Sequence, residues 1–219
     1  WMQLADLNWQ ETVGAGIRLF ANTGGKMPRY LLDKLRVNFP NASPYLMYGL
    51  TEAFRSTYLP PKEVDNRPDS IGKAIPNAEV LVIGEDGREC ADDEPGELVH
   101  RGALVSMGYW NDPARTAERF RPLPLSVATG LHEELAVFSG DVVRRDPEGF
   151  LYFVGRKDGM IKTSGYRVSP TEVEEAAFAS GCISEGAAIG VDDDRLGQKI
   201  VLVATQAANG TGDTDALLA

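Results

Sequence analysis

The chain has 219 residues, 43% of them hydrophobic and 25% charged, with a net charge of −10. That is the mix of an ordinary globular protein, with length for one domain or two, and it excludes disordered, collagenous and disulfide-scaffold classes. No run approaches the ~20 apolar residues of a membrane span, and 22 basic against 32 acidic residues leave no surface that tracks a nucleic acid backbone.

The two cysteines, Cys90 and Cys182, are far apart, and His100 and His132 form no metal-ligand spacing. No protein-built zinc site or disulfide framework is expected; reduced thiols and a cytoplasmic location fit best. Trp1-Met2 opens without the charged, apolar and small-residue order of a signal peptide. It reads as the inside of a protein.

In chain order, Pro28 followed by Arg29–Arg36 predicts a helix that stops before Pro40. Tyr45–Tyr48 predicts a short buried strand running into Gly49. From about residue 70 to 157 the pattern is that of a β-rich lobe, with strands at Glu79–Ile83, Glu97–Arg101, Val137–Arg144 and Leu151–Val154. Beyond it, a strand at Met160–Thr163 leads to a helix with Ser169 as N-cap, Pro170 at N1, Glu172 at N3, and Val173, Ala176, Ala177 and Ala179 as its buried face. Strands at Gly186–Val191 and Lys199–Thr205 follow. The fold class expected is mixed α/β and α+β: residues 1–157 as part of a large domain, then residues 158–219 as a hinge and a partial small α+β domain.

Tyr48-Gly49-Leu50-Thr51-Glu52 is the segment richest in chemistry. The tyrosine offers a stacking face, the glycine a sharp turn, the threonine a phosphate-binding hydroxyl and the glutamate a ligand for Mg²⁺. By themselves these five residues read first as a strand end with Thr51 capping a following helix. Five further segments accompany it in order: Gly24-Gly25, Gly96–Gly102, Met107–Thr116, Ser139-Gly140-Asp141 and Gly155–Glu175. Together they resemble the adenylate-forming superfamily of acyl-CoA synthetases, peptide-synthetase adenylation domains and luciferases, over about residues 20–205.

The resemblance implies roles. Gly24 and Gly25 would line the acyl and adenine site, Tyr48 beside Gly49 would stack on adenine, Thr51 would bond the α-phosphate, and Glu52 would bind Mg²⁺. Asp141 would hold the ribose hydroxyls and Arg156 would contact ribose and phosphate. Asp158 would be the hinge of the small domain, and Gly165 would approach the pantetheine passage. The Gly96–Thr116 stretch is expected to serve folding. In Val137-Phe138-Ser139-Gly140-Asp141 a serine stands where the family has threonine, keeping the hydroxyl.

The implied activity is that of an ATP-dependent acyl-CoA ligase, which converts a carboxylic acid to an acyl-adenylate and passes it to CoA. Val168-Ser169-Pro170-Thr171-Glu172-Val173-Glu174 is more similar to that form than to peptide-synthetase domains. An adenylation domain loading a carrier protein and a non-catalytic nucleotide-binding module are the alternatives. No phosphate loop is seen before Gly24 and no Gly-Lys segment after residue 205, so the chain is expected to be the central-to-C-terminal part of a longer enzyme, inactive alone. The sequence sets neither the acid nor the oligomeric state.

Overall fold

The computed structural model describes residues 1–128 and 135–206. The chain divides into two units, Trp1–Ser139 with Val143–Phe153, and Gly140–Val142 with Val154–Ala219. The first opens with short helices α1 (Met2–Ala5) and α2 (Glu11–Gly16), then strand β1 (Leu19–Asn22), helix α3 (Arg29–Asn38) and strands β2 (Ser43–Leu50) and β3 (Phe54–Leu59). β4 (Ser70–Ala74), β5 (Ala78–Ile83), β6 (Gly96–Gly102), α4 (Pro113–Arg119), β7 (Phe120–Pro122), β8 (Leu135–Arg145) and β9 (Leu151–Arg156) follow. The mixed α/β class agrees with the sequence pattern.

These strands form one nine-stranded sheet in the order β1-β2-β3-β4-β9-β8-β6-β5, with β7 beside β8. The β1–β2 pair is parallel, with α3 as its crossover, whereas β3 returns antiparallel to β2. On α3, Leu31, Leu32 and Leu35 recur at helical spacing and bury against Phe20, Phe39, Leu59 and Val64. Two further clusters fill the β-rich part: Leu81, Val99, Ala136 and Phe138, and Val82, Leu98, Val143 and Leu151.

Arg67 ties distant parts of the first unit together. Its guanidinium donates to Asp146, Glu148 and the Tyr152 hydroxyl, and stacks 4.1 Å over the Phe150 ring. A planar fork can meet that whole set and an ammonium cannot. Arg67→Lys is therefore expected to lower the thermal midpoint followed by circular dichroism; an unchanged midpoint would show that the fork contributes nothing.

In the second unit, β10 (Ile161–Thr163) and β11 (Tyr166–Val168) form a hairpin, and helix α5 (Pro170–Ala179) precedes the long strands β12 (Ile183–Asp193) and β13 (Gly197–Gln206). The four strands make a second sheet, β11-β10-β13-β12.

Two details of α5 differ from the sequence expectation. Ser169 is the N-cap, but its hydroxyl makes no cap hydrogen bond; it is fully buried, and a Cβ on Gly155 would meet its Oγ at 2.8 Å. The side chain is spent on packing rather than on the helix end. Of the four apolar residues assigned to the buried face, only Ala177 is buried, Val173 is half-buried, and Ala176 and Ala179 are exposed. The helix lies on β12 along a narrow strip, where Glu174 Oε1 accepts the Ala188 N–H at 2.9 Å.

Candidate functional site

The parallel β1–β2 pair determines where the first group of residues lies. Asn22 at the end of β1 is level with Leu46 of β2. Gly24 lies two residues past the end of β1 and Tyr48 two residues past Leu46 within β2, towards the carboxyl ends of this parallel pair, where open α/β sheets bind ligands. Gly24 has φ +85° and Gly25 follows it; a Cβ on either would meet no atom within 4 Å. The Asn22 side-chain amide donates to Gly25 O at 2.7 Å, holding the turn closed over an open surface.

Between Tyr48 and Leu50 the β2–β3 ladder carries a bulge, and Gly49 occupies it. A Cβ there would sit 1.7 Å from the Phe54 carbonyl oxygen, so glycine is required by close backbone approach. Thr51 then opens a turn into β3, with Phe54 at φ +41°; no helix follows for Thr51 to cap. The turn leaves Thr51 exposed and Glu52 half-buried.

Two residues that sequence reasoning assigned to folding join this turn. The Tyr109 hydroxyl donates to Glu52 Oε1, and burial together with that carboxylate pushes the phenol pKa up. The His100 ring stacks on Tyr48 with centroids 6.1 Å apart and planes at 15°. The aromatic residues in the Met107–Trp110 run were the only local signal for Tyr109. For His100 there was none beyond its being one of two histidines.

A second group lies in the other unit. Asp141 is 8% exposed, and its Oδ1 accepts from Arg156 Nη1 at 2.7 Å. Arg156 Nε also donates to Asp158 Oδ1 at 3.0 Å, and the Lys157 N–H meets Gly140 O at 2.7 Å. Asp141, Arg156 and Asp158 thus form one linked row, a carboxylate held at each side of one guanidinium. Gly165, φ +83°, follows Ser164, φ +51°, in the β10–β11 turn. Ser139, in the first unit, donates its hydroxyl to Leu98 O at 2.6 Å, so the serine keeps a hydrogen bond there.

Among the described residues no set of three or more His, Cys, Asp or Glu could hold a metal ion, and no helix is long and apolar enough to cross a membrane. A single oriented carboxylate, Glu52, fits the kind of Mg²⁺ that arrives on substrate phosphates and takes one or two protein ligands.

The sequence model of the family described as AMP-binding enzyme matches residues 1–110. The chain belongs to this family. A long-chain-fatty-acid–CoA ligase of Escherichia coli O157:H7 is 35% identical over 154 residues, 70% of this chain and 25% of that protein. Gramicidin S synthase 2 of Brevibacillus brevis is 32% identical over 191 residues, 86% of this chain and 4% of that protein. Among solved structures, o-succinylbenzoate CoA synthetase from Bacillus subtilis with its acyl-adenylate intermediate matches with TM-score 0.74 at 26% identity, over 91% of this chain and 39% of that one. The same enzyme with ATP and magnesium ion gives TM-score 0.76 at 24% identity, over 98% of this chain and 42% of that one. The chain thus spans about a quarter of the length of the CoA ligase, and its relatives in the AMP-binding family include both acyl-CoA ligases and a peptide synthetase.

Proposed function

We propose that the chain supplies nucleotide contacts to an ATP-dependent ligase that activates a carboxylic acid as its acyl-adenylate and transfers it to CoA. The observation behind this reading is the Tyr48–Glu52 segment at the carboxyl end of β2, in the same parallel pair as β1, which the open Gly24-Gly25 turn follows. Such a position gives a flat ring, a hydroxyl and a carboxylate to one ligand. In this reading Tyr48 stacks on adenine beside Gly24, Gly25 and Gly49, Thr51 bonds the α-phosphate, and Glu52 is the ligand for Mg²⁺. When bound, Mg²⁺ neutralises phosphate charge. Tyr109, through its hydrogen bond, sets the direction in which Glu52 points.

In the second unit Asp141 takes the ribose hydroxyls and Arg156 orients it while reaching sugar or phosphate. Residues 158–219 are read as hinge and small domain, with Asp158 as the pivot and Gly165 near the pantetheine path. The acid reacts through positioning and electrostatics, so no nucleophilic side chain is needed. A second reading, loading of a carrier protein, is supported by the likeness to gramicidin S synthase 2.

Titration of the 219-residue chain with AMP, and with ATP plus Mg²⁺, tests the nucleotide reading. Asp141→Ala is expected to weaken AMP binding roughly 10–100-fold, the loss of a charge-assisted hydrogen bond. If the unaltered chain does not respond to AMP, or Asp141→Ala binds as tightly as the parent, the reading is wrong.

A further inference from the structure

His100 stands in β6 opposite Val80 of β5, and is 2% exposed. Neither ring nitrogen has a hydrogen-bond partner among the described residues. Burial drives its pKa down to about 4 against the opposing pull of Glu52, so the ring is neutral near pH 7. Its one N–H donor and one lone pair are both unanswered. Each such buried group costs stability, a penalty that a valine or leucine at this place would avoid. What the imidazole offers over an aliphatic side chain is a flat face.

That face is in use. Tyr48 lies on it nearly parallel, at a separation within the range of offset aromatic stacks. Tyr48 comes from β2, beside a bulge that loosens its strand ladder, and it is only half-buried. The ring packs on the cluster of Val82, Leu98, Val143 and Leu151, and the flat side chain stacked on it is that of His100.

We propose that His100 is a positioning residue, whose ring backs Tyr48 and holds it so that the opposite face of the tyrosine meets a nucleobase. The role rests on the reading of Tyr48 as the base platform. It places a determinant of base binding in the Gly96–Gly102 strand, outside every segment assigned to nucleotide contact.

The test compares two apolar replacements in the 219-residue chain. His100→Leu and His100→Phe both remove the ring nitrogens and both fill the site, but only phenylalanine keeps a flat face. AMP affinity is measured by NMR titration, with urea unfolding of each variant as the control for folding. His100→Leu is expected to weaken AMP binding about 2–10-fold, the worth of one aromatic pair. His100→Phe is expected to bind within about twofold of the parent, at a stability matching that of His100→Leu. Equal AMP affinity in the two variants overturns the role, whether both fall or neither does. Tyr48→Leu separates the layers: if it leaves AMP binding unchanged, the base-platform reading fails and the His100 role with it. If Tyr48→Leu weakens binding and His100→Leu does not, the role of His100 alone is lost.

Discussion

Replacing Gly49 with alanine is expected to cost about 3 kcal/mol or more of stability, the upper end of what inserted atoms cost in a packed site. The added methyl would lie 1.7 Å from the Phe54 carbonyl oxygen and 2.7 Å from the Arg55 Cα, and backbone cannot swing aside as a flexible side chain can. Relief requires the β2–β3 bulge to open, which displaces Tyr48 on one side and Thr51 and Glu52 on the other. Gly49→Ala should therefore lower both the urea midpoint and AMP affinity. Gly25→Ala is the matched control, since its Cβ would meet nothing within 4 Å. It is expected to stay within about 0.5 kcal/mol of the parent. Equal midpoints for the two variants would refute the close-approach argument.

Acid should weaken the first unit through His100, beginning as pH falls below the ordinary histidine value of 6.5. The folded pKa is about 4, below the ordinary histidine value of 6.5, because burial disfavours the imidazolium. A proton then binds the unfolded chain in preference to the folded one. The folded state bears no penalty above pH 6.5, loses stability as pH falls from there, and stops losing it below about pH 4. A displacement of that size corresponds to roughly 3 kcal/mol across the window. Carboxylates such as Glu79, whose pKa is lowered from 4.5 by its hydrogen bond to Arg101, contribute stability that is lost as pH falls from that value through their folded values, a loss shared by parent and His100→Phe. Urea unfolding of the parent and of His100→Phe at about pH 7 and about pH 4 separates the two: the variant should lose markedly less between these points. Identical losses would show that His100 does not titrate differently on folding.

Local chemistry made most of the fold legible. The turns at Glu85-Asp86-Gly87 and Asp146-Pro147-Glu148-Gly149 are signalled by their own residues, and the strands they join alternate or run apolar as buried strands do. The buried strip of α5 was not legible. Ala176 and Ala179 look apolar enough for a core, yet which side of a short helix is covered depends on how β12 meets it. The Tyr48–Glu52 turn could be found because its residues are contiguous. Tyr109 and His100 could not, since Tyr109 meets Glu52 across 57 residues and His100 reaches Tyr48 only through sheet packing. A periodicity has no term for such a distance.

The sheet order also bears on how the chain is made. β4 lies between β3 and β9, and the Ser70 hydroxyl donates to Leu151 O, 81 residues further along. At ordinary rates of synthesis, roughly 5–20 residues per second, β4 waits about 4–16 s for its second neighbour to be translated. Throughout that interval it presents an unpaired edge, and closing the sheet requires a long loop to be ordered first. Closing the sheet at β4 therefore has to await Leu151, and until then the β4 edge is open to pairing with another chain.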